Sequence, residues 1–229
     1  MDQVAIVTGA SKGLGAAIAR RLARQGLTVV ASARSQEQLQ SLAQEYPSQI
    51  FPFTCDVTKS EQVQSLIQFT IEKCGKIDVL INNAGLGRFA PIHELDESDW
   101  DEMMDVNLKG TFLACKYAIP YLKQTEGHII NISSVAGMVA FPNGGGYCAS
   151  KFGLMGFSEA LTLELKSHHV NVSTLCPGSI KTEFNNPKDW AMEPEQVAET
   201  VWLIISAPKN VIINQVVMRP QVPKEFQKK

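Results

Sequence analysis

Long apolar runs are missing from this chain: none reaches the roughly 20 residues that a membrane-spanning helix needs, so no membrane partner is expected. Cysteine is scarce and unpaired. Cys55, Cys74, Cys115, Cys148 and Cys176 are odd in number and show no repeated spacing, which points to neither a disulfide framework nor a zinc site. A charge of one sign is lacking too, since 21 basic and 23 acidic residues are interleaved to a formal charge of −2. No stripe is left to attract nucleic acid or an anionic membrane. The N-terminus has no basic segment followed by a cleavable apolar stretch and enters a strand pattern at Val4. A reduced, cytoplasmic setting is expected, with no bound metal, and neither internal repeats nor low-complexity segments interrupt the chain.

Seven short apolar, β-branched runs are present, at 3–8, 28–33, 50–54, 79–82, 128–133, 171–176 and 211–217. Helical periodicity fills the intervals at about 14–25, 36–45, 59–74, 98–123, 147–168 and 194–206. Continuous apolar strands alternating with helices predict a parallel sheet covered on both faces, hence a doubly wound α/β fold. At 229 residues one domain suffices, with a cofactor half at about 1–130 and catalytic and substrate loops at about 131–229. The stretches 85–93, 134–146 and 178–193 each follow a strand, where open α/β sheets bind ligands.

The first strand-to-helix junction reads TGASKGLG, Thr8 to Gly15. Glycines at 9, 13 and 15 permit a tight turn, close backbone approach to a phosphate and close packing of helix on sheet. The helix N-terminus also presents free N–H groups to an anion. A glycine turn that merely starts a helix reads the same in isolation; its place after the first strand of an alternating chain favours a dinucleotide. Gly9, Ser11, Lys12, Gly13, Leu14 and Gly15 are the expected contacts.

At the end of the second strand, where a carboxylate would accept from the ribose 2′-hydroxyl of NAD, the chain has Ala33 followed by Arg34. A guanidinium there suits a 2′-phosphate, and Lys12 would add a second positive charge. NADP(H) is therefore expected in preference to NAD(H). Asp56, after the third strand, is placed either to accept from the adenine amino group, with Val57 offering its backbone, or to serve as a turn residue. NNAG, Asn82 to Gly85, closes the fourth strand. Its asparagines can satisfy loop backbone or steady a ribose, while Ala84 and Gly85 admit a close ligand, so Asn83, Ala84 and Gly85 join the candidates.

Tyr147 and Lys151 open a helix at i and i+4 and so share one face. A free phenol with a pKa of about 10 is a poor base at neutral pH, and a neighbouring ammonium is expected to favour the phenolate. The tyrosine could then exchange a proton with a carbonyl or alcohol oxygen. Tyr46, Tyr117 and Tyr121 have no lysine four positions on. Ser134, just past the fifth strand, can hold the same oxygen, leaving Ser133 to the strand end.

TGASKGLG, NNAG, Asn107 in MMDVNLKG, Ser134, YCASK and PGSIKT follow one another along nearly the whole chain, with Ser134 thirteen positions before Tyr147. In this order and spacing the chain resembles the short-chain dehydrogenase/reductase family. The resemblance implies a Rossmann fold and a catalytic tetrad of Asn107, Ser134, Tyr147 and Lys151. In that scheme the tyrosine is the general acid/base, the lysine also binds the nicotinamide ribose, and the serine polarises the carbonyl. The asparagine distorts its helix and holds a water in a proton relay to the lysine. Gly110, shortly after Asn107 in an otherwise helical segment, agrees with such a distortion. Pro177, Gly178 and Ile180 would border the nicotinamide and Thr182 would bond its carboxamide. The helices at 98–123 and 147–168 would pack between subunits of a homotetramer or homodimer.

Two departures narrow the resemblance. EFNNPKDWAM, after Thr182, is short where many members carry a longer helical lid, which implies a small, open substrate pocket with Phe89, Met138, Phe141 and Trp190 as walls. The last strand runs VIINQVVMRPQ instead of the more common Asp-Gly-Gly ending, an ending similar to NADP-dependent 3-hydroxy acid dehydrogenases and related carbonyl reductases. The expected activity is NADP(H)-dependent hydride transfer to or from a small ketone or secondary alcohol. One alternative is a reductase of acyl-carrier-protein thioesters, which would want a basic patch near the pocket; Lys181 and Lys188 are the candidates. The other is a non-catalytic NADP-binding regulator, against which all four tetrad positions carry the competent residue.

Overall fold

A computed structural model of the chain describes residues 3–184, 188–208 and 210–223. All seven predicted strands join one parallel sheet in the order β3-β2-β1-β4-β5-β6-β7. These are β1 (Val4–Thr8), β2 (Thr28–Ala33), β3 (Ile50–Thr54), β4 (Val79–Asn82), β5 (His128–Ile132), β6 (Asn171–Pro177) and β7 (Gln215–Met218). The chain winds outward from β1 to β3 and then returns to lay β4 on the other side of β1. Connections leave in opposite directions at that switch point, which opens a crevice at the carboxyl ends of the strands.

The two-residue period of a strand divides each apolar run between two cores. Ala5, Val7, Val29, Ala31, Val79 and Ile81 face one layer, made by α1 (Gly13–Arg24), α2 (Gln36–Glu45) and α7 (Pro194–Ile205). Ile6, Val30, Leu80 and Ile129 face the other, made by α3 (Ser60–Cys74), α5 (Gly110–Thr125) and α6 (Gly145–Leu165). Because both faces are covered, the strands show no polar alternation. A buried amide chain ties the layers together: Asn82 donates to Asn131 at 2.8 Å, Asn131 to Ser158 at 2.8 Å, and Ser158 to the Leu154 carbonyl at 2.7 Å. It sets the register of α6 on the sheet, and α6 carries Tyr147 and Lys151.

The predicted helix at 98–123 is interrupted. It divides into α4 (Glu97–Met104), a π-helical turn at Asp105–Lys109, and α5. Such a turn widens the backbone by one residue and commonly marks a functional position. Asn107 is at its centre, and Gly110 follows where a Cβ would lie 2.8 Å from the Val57 side chain. Two boundaries also shift. Helix α6 starts at Gly145, two residues early, and its Gly146 lies against Met103, where a Cβ would be 2.4 Å from the Met103 methyl. The last strand pairs only over Gln215–Met218, since Val211 still belongs to the return from α7, its N–H bonded to the Pro208 carbonyl at 2.8 Å.

Candidate active site

Residues Gly9 and Gly13 take φ of 65° and 56°, a conformation that side chains resist. At Gly15 a Cβ would lie 2.2 Å from the Gly9 carbonyl oxygen. The loop therefore closes tightly on itself. Helix α1 begins there with no side-chain cap and no acid in its first turn, so its N–H groups remain open to an anion. A cradle shut to side chains but open to negative charge fits a dinucleotide pyrophosphate.

Thr8, which sequence reasoning overlooked, joins β1 to β4: its Oγ1 accepts from the N–H groups of Asn83 at 3.0 Å and Ala84 at 3.1 Å. Asn83 returns the tie, its side-chain amide donating to the Thr8 and Gly9 carbonyls at 2.9 and 3.2 Å. That amide holds the glycine loop instead of reaching for a ribose. Lys12 likewise is not free, since it pairs with Glu183 from the segment after β6. Thr182 is beside that pair, its methyl 3.2 Å from where a Cβ on Gly13 would be. The PGSIKT segment thus packs on the glycine loop, with Pro177 ending β6, the Gly178 N–H bonded to Met218 at 2.7 Å, and Ile180 bridged to Met192. Ser11 is half-buried and Leu14 is in the core.

Arg34 is exposed at the end of β2, with no hydrogen bond or ion pair among the described residues, although its charge reaches Asp56. Asp56 accepts from the Thr58 N–H and hydroxyl at 2.9 and 2.8 Å, which is the turn role. Burial pushes its pKa up, but those two bonds and the Arg34 and Lys59 charges bring it below the usual value.

Ser134 follows β5 and caps a short 3-10 turn, its Oγ accepting from the Ala136 N–H at 3.1 Å. Tyr147 and Lys151 are both nearly inaccessible, at 8% and 4% exposure. Ser134 is near enough to the Tyr147 phenol to favour its charged form, while its Oγ donates to the Pro177 carbonyl at 3.5 Å. Lys151 does not bond the phenol: its Nζ donates to the Ile132 carbonyl at 2.9 Å and lies 5.9 Å from the ring centroid. Burial pushes the phenol up to about 12, with Ser134 opposing, and pulls the ammonium down to about 8. The expected depression of the tyrosine is therefore absent from this structure, because desolvation dominates at both groups and Lys151 is not among the causes that shift the phenol.

Asn107, fully buried, grips the backbone of Leu86: its Oδ1 accepts from the N–H at 2.8 Å and its Nδ2 donates to the carbonyl at 2.9 Å. The same Nδ2 donates to Ser150 at 2.9 Å, and Ser150 donates to the Tyr147 carbonyl at 2.8 Å. Ser150 was not anticipated, although it stands inside YCASK. Between Asn107 and Lys151 lies Gly85, where a Cβ would be 3.2 Å from the one and 3.6 Å from the other.

Aromatic rings surround the phenol. Phe89 and Phe184 each stand 5.6 Å from the Tyr147 ring, and Phe141 stands 5.8 Å from Phe89. Phe184, two residues past Thr182, was missed, while residues 185–187 of the short segment after Thr182 lie outside the described residues. Met138 faces β7, its sulfur accepting from Gln215 at 3.5 Å. Trp190 lines a separate hollow of about 440 Å³ with Met218, Arg219 and Pro220. Among the described residues no cluster of metal-ligating side chains occurs, and no helix is long and apolar enough to cross a membrane.

A glycine cradle after β1, together with Ser134 and the buried Tyr147 and Lys151 after β5, fits the site of a nucleotide-dependent oxidoreductase. The chain belongs to the short chain dehydrogenase family, matching it over residues 3–192, and is an oxidoreductase acting at a carbonyl or alcohol carbon. It is 37% identical over 228 residues to an uncharacterized oxidoreductase of Staphylococcus saprophyticus, covering 96% of this chain and 97% of the relative. It is 34% identical over 233 residues to the 3-oxoacyl-(acyl-carrier-protein) reductase of Thermotoga maritima, covering 94% and 95%. Among solved structures, the alcohol dehydrogenase of Thermococcus sibiricus complexed with 5-hydroxy-NADP superimposes with a TM-score of 0.90 at 34% identity, over 97% of this chain and 99% of that one.

Proposed function

We propose that the protein is an NADP(H)-dependent reductase of small ketones, with Ser134 and Tyr147 holding the substrate oxygen and Tyr147 delivering its proton. The observation that carries this reading is the buried pair of Tyr147 and Lys151, with Nζ 5.9 Å from the phenol ring and Ser134 beside it, at the carboxyl edge of the strands that bear the glycine cradle. A cofactor held by residues 9–15, Gly85 and the segment from Pro177 to Thr182 would supply the hydride. The chain supplies the rest. With its phenol well above neutrality, Tyr147 is protonated and donates to the carbonyl oxygen, which favours reduction over oxidation. Ser134 adds a second donor at that oxygen. Lys151, pulled down to about 8, is the nearest store from which the phenol can regain a proton. Asn107 acts by positioning, through Leu86 and Ser150.

Arg34 supports NADP(H) over NAD(H), because an exposed guanidinium at the end of β2, with no hydrogen bond or ion pair among the described residues, can take a 2′-phosphate. Lys12 would join it only by leaving Glu183. Oxidation of NADPH and NADH should be followed with a panel of small ketones for the wild type and Arg34→Ala. The expected result is a preference for NADPH that falls about 10- to 100-fold in the variant, the worth of a charge-assisted contact. Equal use of NADH by the wild type would refute the assignment, and consumption of neither coenzyme would favour a regulator. The relative from Thermotoga gives a carrier-protein substrate some support, against which Lys181 is already paired to Glu193 at 2.6 Å.

A cytoplasmic setting agrees with five free cysteines. Assembly through α5 and α6 is supported by exposed Phe112, Phe152 and Leu163 and by a hollow of about 460 Å³ lined by Met104, Leu108, Phe112 and Phe157. Sedimentation of the wild type should give a dimer or tetramer; a monomer would exclude this.

A further inference from the structure

We propose that this site selects a neutral ketone bearing an aryl or similarly flat apolar substituent and rejects carboxylates; the proposal rests on the ketone-reductase reading above. Six large apolar side chains stand exposed on the loops after β4, β5 and β6: Phe89 (37%), Ile92 (67%), Met138 (39%), Val139 (55%), Phe141 (42%) and Phe184 (42%). Leaving that much apolar surface in water costs the chain stability, and exposed apolar surface gathered beside a reacting group marks a binding surface. Two of the six touch the reacting group directly. Phe89 meets Tyr147 edge-on at an interplanar angle of 72°, and Phe184 meets it at 57°. Phe141 extends the series, tilted 46° to Phe89. A flat ring entering among these aromatics finds edges and faces for offset or edge-to-face contact.

Most cations on the same loops are already engaged elsewhere. Arg88, next to Phe89, is drawn to α4 by Asp99 at 3.4 Å and Glu102 at 3.2 Å. Lys181 is held by Glu193, Lys12 by Glu183, and His93 is beside Glu94. Lys188 is exposed, and the residues that follow it, Asp189 to Glu193, line the separate hollow near Met218. The cation beside the phenol, Lys151, donates to the Ile132 carbonyl. A substrate carboxylate would therefore lose water among phenylalanines without gaining a partner. Since substrates ending in a free 3-oxo acid carry such a charge, the ester or ketone of the same skeleton is the better match.

The test compares 3-oxo-3-phenylpropanoate with its ethyl ester, a pair that shares a reacting ketone and an aryl ring and differs in charge. With NADPH, the ester should show a kcat/KM at least about a hundredfold above the acid, reflecting the penalty on an unpaired buried anion. Phe89→Leu and Phe141→Leu, checked for cooperative melting, should each lower the ratio of the aryl ester to ethyl 3-oxobutanoate by roughly three- to tenfold, the worth of one aromatic contact. Both substrates are read on one preparation, so partial misfolding cancels. An acid reduced as well as the ester, or a ratio unmoved in both variants, overturns the proposal and leaves the reductase reading standing. No reduction of any of the three overturns both.

Discussion

Replacing Asn107 by alanine should destabilise the fold as well as impair catalysis. The side chain is wholly buried and makes three hydrogen bonds, to the Leu86 N–H at 2.8 Å, the Leu86 carbonyl at 2.9 Å and Ser150 at 2.9 Å. Alanine removes all three partners at once. Ser150 keeps its bond to the Tyr147 carbonyl, so its loss is small. The Leu86 N–H and carbonyl, both part-buried, have no other partner among the described residues, and leaving such a group unsatisfied costs about 1–3 kcal/mol. A water entering the vacated space would recover part of this, which sets the expected loss at about 3 kcal/mol. For a chain of this size that lowers Tm by roughly 6–12 °C. Denaturant and thermal unfolding, at equal protein concentration and without coenzyme, measure it directly. The same variant should lose kcat more than it raises KM, because Leu86 follows Gly85 on the lip facing Lys151. A variant within about 0.5 kcal/mol of wild type, the range of ordinary surface changes, would refute the positioning role assigned to Asn107.

Two further substitutions probe the cradle and the sheet. Gly15→Ala would bring a methyl 2.2 Å from the Gly9 carbonyl oxygen, forcing the loop apart, so coenzyme affinity measured by fluorescence titration should fall at least about tenfold; tight binding by the variant would contradict the cradle geometry. His128, half-buried at the start of β5, is hydrogen-bonded to Ser173 of β6 at 2.7 Å, and loss of water around the ring lowers its pKa from 6.5 to about 4. Above pH 6.5 the ring is neutral in both folded and unfolded chains; as pH falls toward 4 only the unfolded chain takes up the proton, so stability declines across that window by about 3 kcal/mol. His128→Gln, which can keep the Ser173 bond without titrating, should decline less over the same window, and parallel pH profiles for the two proteins would refute the assignment.

Much of this molecule was legible in its sequence because local signals and tertiary outcome agree. Apolar runs without polar alternation require cover on both faces, and glycines at 9, 13 and 15 occur where positive φ or near-contact with the Gly9 carbonyl allows nothing larger. Tyr147 and Lys151 are neighbours on any helix, and the interruption near Asn107 was foreshadowed by Gly110. Side-chain partnerships across the fold were not legible. Asn83 turned back to hold Thr8 and Gly9, Lys12 found Glu183 more than a hundred residues away, and Ser150 and Phe184 entered the site unannounced. The strength of the phenol as an acid was misjudged for the same reason. Spacing reveals that an ammonium is near, whereas burial, which only the packed chain possesses, determines whether its charge survives to act; here it pushes Tyr147 up and Lys151 down.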